Sequence, residues 1–151
     1  FKVHDMREPF EEKFDAIFNL FTSFGYFEDE ADNLKTLIAI KDSLSETGFA
    51  VIDFMNVNQV IETLVPEEVK TVDQIEFHIK RYVKEGHIYK EISFQDQGQN
   101  YHFTEKVRAF SLQDFQELMD EAGIYLLDIF GDYKLKKFHK TDSERLIMIF
   151  K

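Results

Sequence analysis

Apolar residues come along this chain in short bursts of two kinds. Residues 14–21 (FDAIFNLF), 49–54 (FAVIDF), 124–130 (IYLLDIF) and Arg145–Phe150 (RLIMIF) are nearly continuous apolar runs. Runs of this length without polar alternation fit strands covered on both faces. Between the first two, Leu34, Leu37, Ile38, Lys41 and Leu44 share one face at helical spacing, which predicts a helix over 34–44. Asp32 or Asn33 is placed to cap it and Gly48 to stop it. Strand, helix and strand within about 40 residues make a right-handed βαβ unit.

The period changes in the middle. Residues 75–83, 88–94 and 101–110 alternate β-forming and polar positions, with Glu85-Gly86 and Gln97-Gly98 as turns between them. This predicts a three-stranded antiparallel meander over 72–110 with one solvated face. Ser111 then opens a helix, SLQDFQELMDEAG. Asp114 completes a capping-box pattern, Phe115, Leu118 and Met119 form the buried face, and Gly123 ends the helix. The whole reads as one α/β domain, residues 1–151, with the meander as an insertion. The first three apolar strands should run parallel, and Arg145–Phe150 antiparallel between the second and third.

Composition narrows the function. Of 151 residues, 44% are hydrophobic and 31% charged, which is globular. Eighteen Lys and Arg against 29 Asp and Glu leave a net charge of −11, which repels nucleic acid and anionic membrane surfaces, so neither is expected as a partner. No apolar run approaches the roughly 20 residues that span a bilayer, and residues 1–6 do not read as a secretory signal. There is no cysteine, which removes thiolate nucleophiles and Cys-based metal sites and suits the cytoplasm. The five histidines show no HxH or HxxxH spacing, so no metal site is expected, and Ser23 lies in no nucleophile elbow.

Phe14-Asp15-Ala16-Ile17 leading into Asn19-Leu20-Phe21-Thr22-Ser23-Phe24-Gly25-Tyr26-Phe27 resembles the fourth strand and following loop of class I S-adenosylmethionine-dependent methyltransferases. The leucine, spacer, glycine, apolar strand and Asp of residues 44–53 match the next segment, and the helix ending in Ala-Gly with two final strands matches the end of that fold. Val3-His4-Asp5-Met6-Arg7 is similar to the segment after the family's third strand. The family's Gly-rich turn and ribose-binding acid have no counterpart, because no glycine precedes Gly25. The resemblance therefore implies a truncated Rossmann-like sheet, the carboxyl-terminal half to two-thirds of such an enzyme, inactive in isolation.

The resemblance also implies site residues. Asp5 would accept a hydrogen bond from the adenine amine of S-adenosylmethionine, and the Met6 backbone would serve a ring nitrogen. Asn19, Leu20 and Phe21 would flank the cofactor, while Ser23, Phe24, Tyr26 and Asn56 would face a small-molecule methyl acceptor. No acid or base is assigned, because in-line methyl transfer from a sulfonium can rest on placement in a dry pocket. Asn19-Leu20-Phe21-Thr22 is not the Asn-Pro-Pro-aromatic loop of nucleobase and glutamine methyltransferases. Tyr82, Tyr89, Phe94, Tyr101 and Phe103 of the meander could form an aromatic wall over the acceptor. The strand at 14–21, without its family neighbour, would have an open edge inviting a homodimer. A non-catalytic α/β module binding a ligand or protein is the alternative reading.

Overall fold

The structure, a computed structural model, describes residues 1–151. In chain order the elements are β1 (Phe14–Asn19), α1 (Glu30–Ser43), β2 (Leu44–Met55), α2 (Val57–Glu62), β3 (Glu67–Val72), β4 (Ile75–Lys84), β5 (His87–Asp96), β6 (Gln99–Arg108), α3 (Leu112–Ala122), β7 (Leu126–Phe130) and β8 (Arg145–Phe150). They form two compact units, Phe1–Gln59 with Phe110–Lys151, and Val60–Ala109. No helix is long and apolar enough to cross a membrane.

The first unit holds a four-stranded sheet ordered β1-β2-β8-β7. β1 and β2 are parallel, and β8 runs antiparallel to both of its neighbours, so β7 is parallel to β1 and β2. This is the expected arrangement. The central strands are buried through Ala50–Phe54 and through Leu146, Ile147, Met148 and Phe150. That explains why they read as continuous apolar runs rather than alternating ones. Phe24, Phe54 and Phe115 are wholly buried and touch ring to ring, with centroids 5.4 Å apart for Phe24–Phe115 and 5.2 Å for Phe54–Phe115. Burying each ring contributes about 1.5–3 kcal/mol.

α1 starts earlier than its apolar spacing indicates. Asp29, not Asp32 or Asn33, is the cap, accepting from the Ala31 amide at 3.0 Å. The first turn carries Glu30 and Asp32, which favour the helix dipole but add nothing to an apolar stripe. Gly48 does not stop the helix either. Ser43 ends α1 and Leu44 begins β2 with no residue between. Gly48 lies where the β1–β2 register jumps from Phe14↔Leu44 to Ala16↔Phe49, and a Cβ there would sit 2.8 Å from the Phe14 carbonyl oxygen. The glycine serves close backbone approach at a bulge. At α3 the reading holds: Ser111 and Asp114 form the capping box, and Gly123 closes the helix in the left-handed conformation.

The second unit is an antiparallel sheet ordered β3-β4-β5-β6, one strand more than the pattern predicts. Its three hairpins share one geometry. Asp73-Gln74, Glu85-Gly86 and Gln97-Gly98 each place both residues at positive φ between paired strand ends, the two-residue type I′ connection. The first has no glycine, and β3 (EEVKTV) is mostly polar and exposed, so neither stands out in the sequence. The register also divides the expected aromatic wall. Tyr82 pairs with Tyr89 on one face, their rings stacked at 4.9 Å. Phe94, Tyr101 and Phe103 lie on the other, with Phe94–Tyr101 stacked at 4.9 Å. Tyr89 and Phe94 are an odd number of positions apart, so a strand sends them to opposite sides.

Candidate functional site

At the carboxyl end of β2, Asp53 is 1% exposed and its carboxylate is fully engaged. Oδ1 accepts from Arg145 Nε at 2.7 Å, and Oδ2 accepts from the Phe21 amide and the Tyr133 hydroxyl, each at 2.9 Å. Its backbone carbonyl accepts from the Thr22 amide at 2.9 Å. Arg145 Nη2 in turn donates to Thr22 Oγ1 at 3.0 Å. The sheet register makes this network. Met55 pairs with Arg145 and Asp53 with Ile147, so Arg145 stands diagonally across from Asp53.

The network surrounds a strained turn. Phe21 and Thr22 both have φ of 59°, the left-handed region that a β-branched threonine rarely enters. Such a conformation costs about 1–3 kcal/mol per residue and persists only where its surroundings hold it. Three hydrogen bonds do so here: the Phe21 and Thr22 amides donate to Asp53, and Arg145 donates to the Thr22 hydroxyl. The outcome is directional: Thr22 is buried while the Phe21 side chain is 77% exposed. Tyr133, 63% exposed, hangs from the same carboxylate. Burial, and then its hydrogen bond to Asp53, push the Tyr133 phenol above its ordinary pKa, so it stays a donor at neutral pH.

Asp5 lies in the exposed amino-terminal segment. Arg7 grips it as a fork: its backbone N–H and Nε reach Oδ1, each at 3.0 Å, and Nη2 reaches Oδ2 at 2.6 Å. The hydrogen bonds from the Arg7 side chain, and then from its backbone, hold the Asp5 carboxyl well below the usual carboxylate range. Arg7 is itself anchored, donating from Nη1 to Asp32 at 2.7 Å and lying over the Phe27 ring at 5.1 Å. Nε is also shared with Oδ2 at 3.2 Å, so Arg7 occupies all of the roughly four lone-pair sites of this carboxylate, and a further donor would have to displace that longest contact.

Of the other anticipated residues, the structure brings Met6 and Asn19 together. Both line a crevice of about 200 Å³ with His4, Phe10, Ile17 and Ile40. The Asn19 side-chain oxygen is buried and has no hydrogen-bond partner. An unmatched buried acceptor of this kind costs about 1–3 kcal/mol, and a ligand N–H or O–H would relieve it. Leu20, Phe21 and Tyr26 are exposed, and the Ser23 hydroxyl donates to the Leu20 carbonyl.

Two expectations need correction. Phe24 faces no acceptor, because it is wholly buried against Phe110 and Phe115. Asn56 is also buried, its amide donating to the carbonyls of Lys140 at 2.9 Å and Ser143 at 2.8 Å. It braces the 131–144 loop instead of presenting a polar group. Tyr133 and Arg145 were missed, although a cation opening an otherwise apolar strand beside the strand that ends in Asp53 was a readable signal.

This edge offers apolar and aromatic surface, an unmatched acceptor and carboxylates already committed to arginines. Such a set binds and orients. The adenine of an S-adenosylmethionine molecule would be held here by Asp5, in place of its longest Arg7 contact, and by Asn19, whose side-chain oxygen has no partner.

No protein-family model matches the sequence, and no curated protein matches it. Solved structures do. An S-adenosylmethionine-dependent methyltransferase from Clostridium acetobutylicum superposes with a TM-score of 0.86 at 21% identity, covering 99% of this chain and 63% of that one. The CcbJ methyltransferase from Streptomyces caelestis gives 0.81 at 11% identity, covering 99% and 62%. The sugar N-methyltransferase KedS8 from Streptoalloteichus gives 0.68 at 16% identity, covering 97% and 60%. The chain thus spans about 60% of the length of these proteins. It has the fold of the class I S-adenosylmethionine-dependent methyltransferases over that part.

Proposed function

We propose that this chain is the adenine-facing and acceptor-facing part of an S-adenosylmethionine-dependent methyltransferase that acts on a small molecule. The observation that carries the reading is the unmatched Asn19 oxygen beside Met6, at the carboxyl edge of a sheet with methyltransferase order. Ligands of open α/β sheets sit outside the carboxyl ends of the strands. In this reading Asp5 accepts from the adenine amine, the Met6 backbone serves a ring nitrogen, and Asn19, Leu20 and Phe21 flank the cofactor. Ser23 and Tyr26 face the acceptor. The cofactor supplies an activated methyl group; the chain's residues orient it and exclude water. The lack of cysteine suits a cytoplasmic protein.

β1 pairs on one side only, with β2, so its free edge is where a second copy of the chain would add antiparallel. Sedimentation at micromolar concentration tests this; a monomer at all concentrations rejects it.

Calorimetry tests the main reading. The intact protein should bind S-adenosylmethionine saturably, and Asp5→Ala should weaken binding on the order of tenfold. An unchanged affinity removes Asp5 from the site, and no binding removes the function. The 151 residues alone should transfer no methyl group, because the Gly-rich turn of the family has no match among them. Binding without transfer by the intact protein would favour a non-catalytic module.

A further inference from the structure

We infer that Asp53, Arg145 and Tyr133 are positioning residues that lock the Phe21-Thr22 turn and so hold the Phe21 ring ready against a flat ligand such as a purine. The inference rests on the proposed function for the identity of that ligand. Its structural basis is independent of it.

A charge buried as deeply as Asp53 demands compensation, and every partner it has lies on or beside the strained turn. Six hydrogen bonds link the group: Asp53 accepts at its side chain from Phe21, Tyr133 and Arg145 and at its carbonyl from Thr22 and Arg145, and Arg145 also donates to Thr22 Oγ1. A turn needed only for chain reversal would place glycine at two consecutive positive-φ positions, where it costs least. Here phenylalanine and threonine occupy them. Thr22 explains itself, since its hydroxyl takes the Arg145 donor. Phe21 has no such local reason. Its side chain is 77% exposed, so little core burial offsets the strain, and it projects from the carboxyl edge of the sheet. A large apolar side chain held outward at conformational cost fits a preorganised contact for a ligand, since a ring already in place loses little freedom on binding. Tyr133 completes the device. Its hydroxyl fixes the second oxygen of Asp53, its ring lies beneath the Arg145 guanidinium at 5.9 Å, and its raised pKa keeps it a donor, not a base.

The test is a double-mutant cycle on the intact protein, with S-adenosylhomocysteine as the probe. Tyr133→Phe removes one hydrogen bond and leaves the buried ion pair, so the protein should fold. Its affinity for the probe should fall about fivefold, and amide hydrogen exchange at Phe21 and Thr22 should quicken by a similar factor. Phe21→Ala should weaken binding by at least as much. In the Phe21→Ala background, Tyr133→Phe should have no further effect on affinity, because it acts through the ring already removed. A purely structural Tyr133 would lower the melting temperature and leave affinity unchanged. That result overturns the inference, and so does an equal loss with and without Phe21. If the wild-type protein does not bind the probe, the function reading falls and the ligand contact with it. Exchange at Phe21 and Thr22 that ignores Tyr133→Phe refutes the locking itself.

Discussion

Two Asp–Arg pairs in the first unit make a natural experiment in environment. Asp5 and Arg7 are two positions apart in sequence, and their side chains are 39% and 40% exposed. Asp53 and Arg145 are 92 positions apart, with side chains 1% and 20% exposed. The closest contacts are alike, at 2.6 Å and 2.7 Å. Distance therefore does not separate them. Solvent does: water and salt screen the first pair, so its attraction adds little to folding. The second pair was taken out of water at a cost, and it holds the fold only while both members are present. The exposed pair ties the amino-terminal segment to α1 through Arg7 and Asp32; the buried pair shapes the backbone of the Phe21-Thr22 turn.

The contrast is sharpest in Asp53→Ala, which strands the Arg145 charge, the Tyr133 hydroxyl and the Phe21 amide together. Denaturant unfolding should show a loss of about 3–5 kcal/mol. A loss near zero would mean that Arg145 finds water, and the two pairs would then be equivalent. Replacing both members by apolar residues, Asp53→Leu with Arg145→Met, should destabilise less than either single change, because no charge is left uncompensated. Tyr133→Phe, which touches only the rim of the buried pair, should lower stability by about 1–2 kcal/mol in the same measurement.

Asp5→Asn should have the smallest effect, within the scatter of a melting-temperature measurement at physiological salt. Its sign with pH is determined. The folded-state pKa of Asp5 is depressed, so any stabilisation is present above its ordinary value of 3.8 and fades as pH falls below it. The difference between wild type and Asp5→Asn should therefore vanish in strong acid and shrink in high salt. The Asp53→Ala difference should survive high salt. An Asp5 effect insensitive to salt would place that pair in a drier setting than its exposure indicates.

The sheet was legible because its central strands β2 and β8 are buried on both faces and leave unbroken apolar runs, and because the capping box of Ser111 and Asp114 is a local pattern; the edge strands β1 and β7 are equally apolar but not covered on both faces, with Phe18 and Leu127 exposed. The start of α1 was hidden, since Asp29 and Glu30 carry no apolar periodicity. β3 was hidden because a mostly exposed strand needs few apolar residues. The candidate site was legible as a place and less so as side chains. Lying at a strand end does not tell whether a residue is buried, and Phe24 and Asn56 are. The left-handed pair Phe21-Thr22 turns Phe21 out and Thr22 in, which no repeat period encodes. The Asp53–Arg145 pair depends on the register of two strands distant in sequence, and so becomes visible only when they are side by side.

The direct passage from Ser43 to Leu44 has a consequence for how this chain can change length over evolutionary time. A helix that runs into a strand without a linking residue has no slack. One residue added there must either rotate α1 by about 100° or shift β2 by one position. The first turns its buried Leu37 and Ile40 away from the core; the second exchanges the inner and outer faces of a central strand. The hairpin tips at Asp73-Gln74 and Gln97-Gly98 carry no such coupling, since extra residues there extend into solvent. Length variation among related chains should therefore gather at those tips and be absent from the α1–β2 junction, so that this junction acts as a fixed ruler for the rest of the sheet.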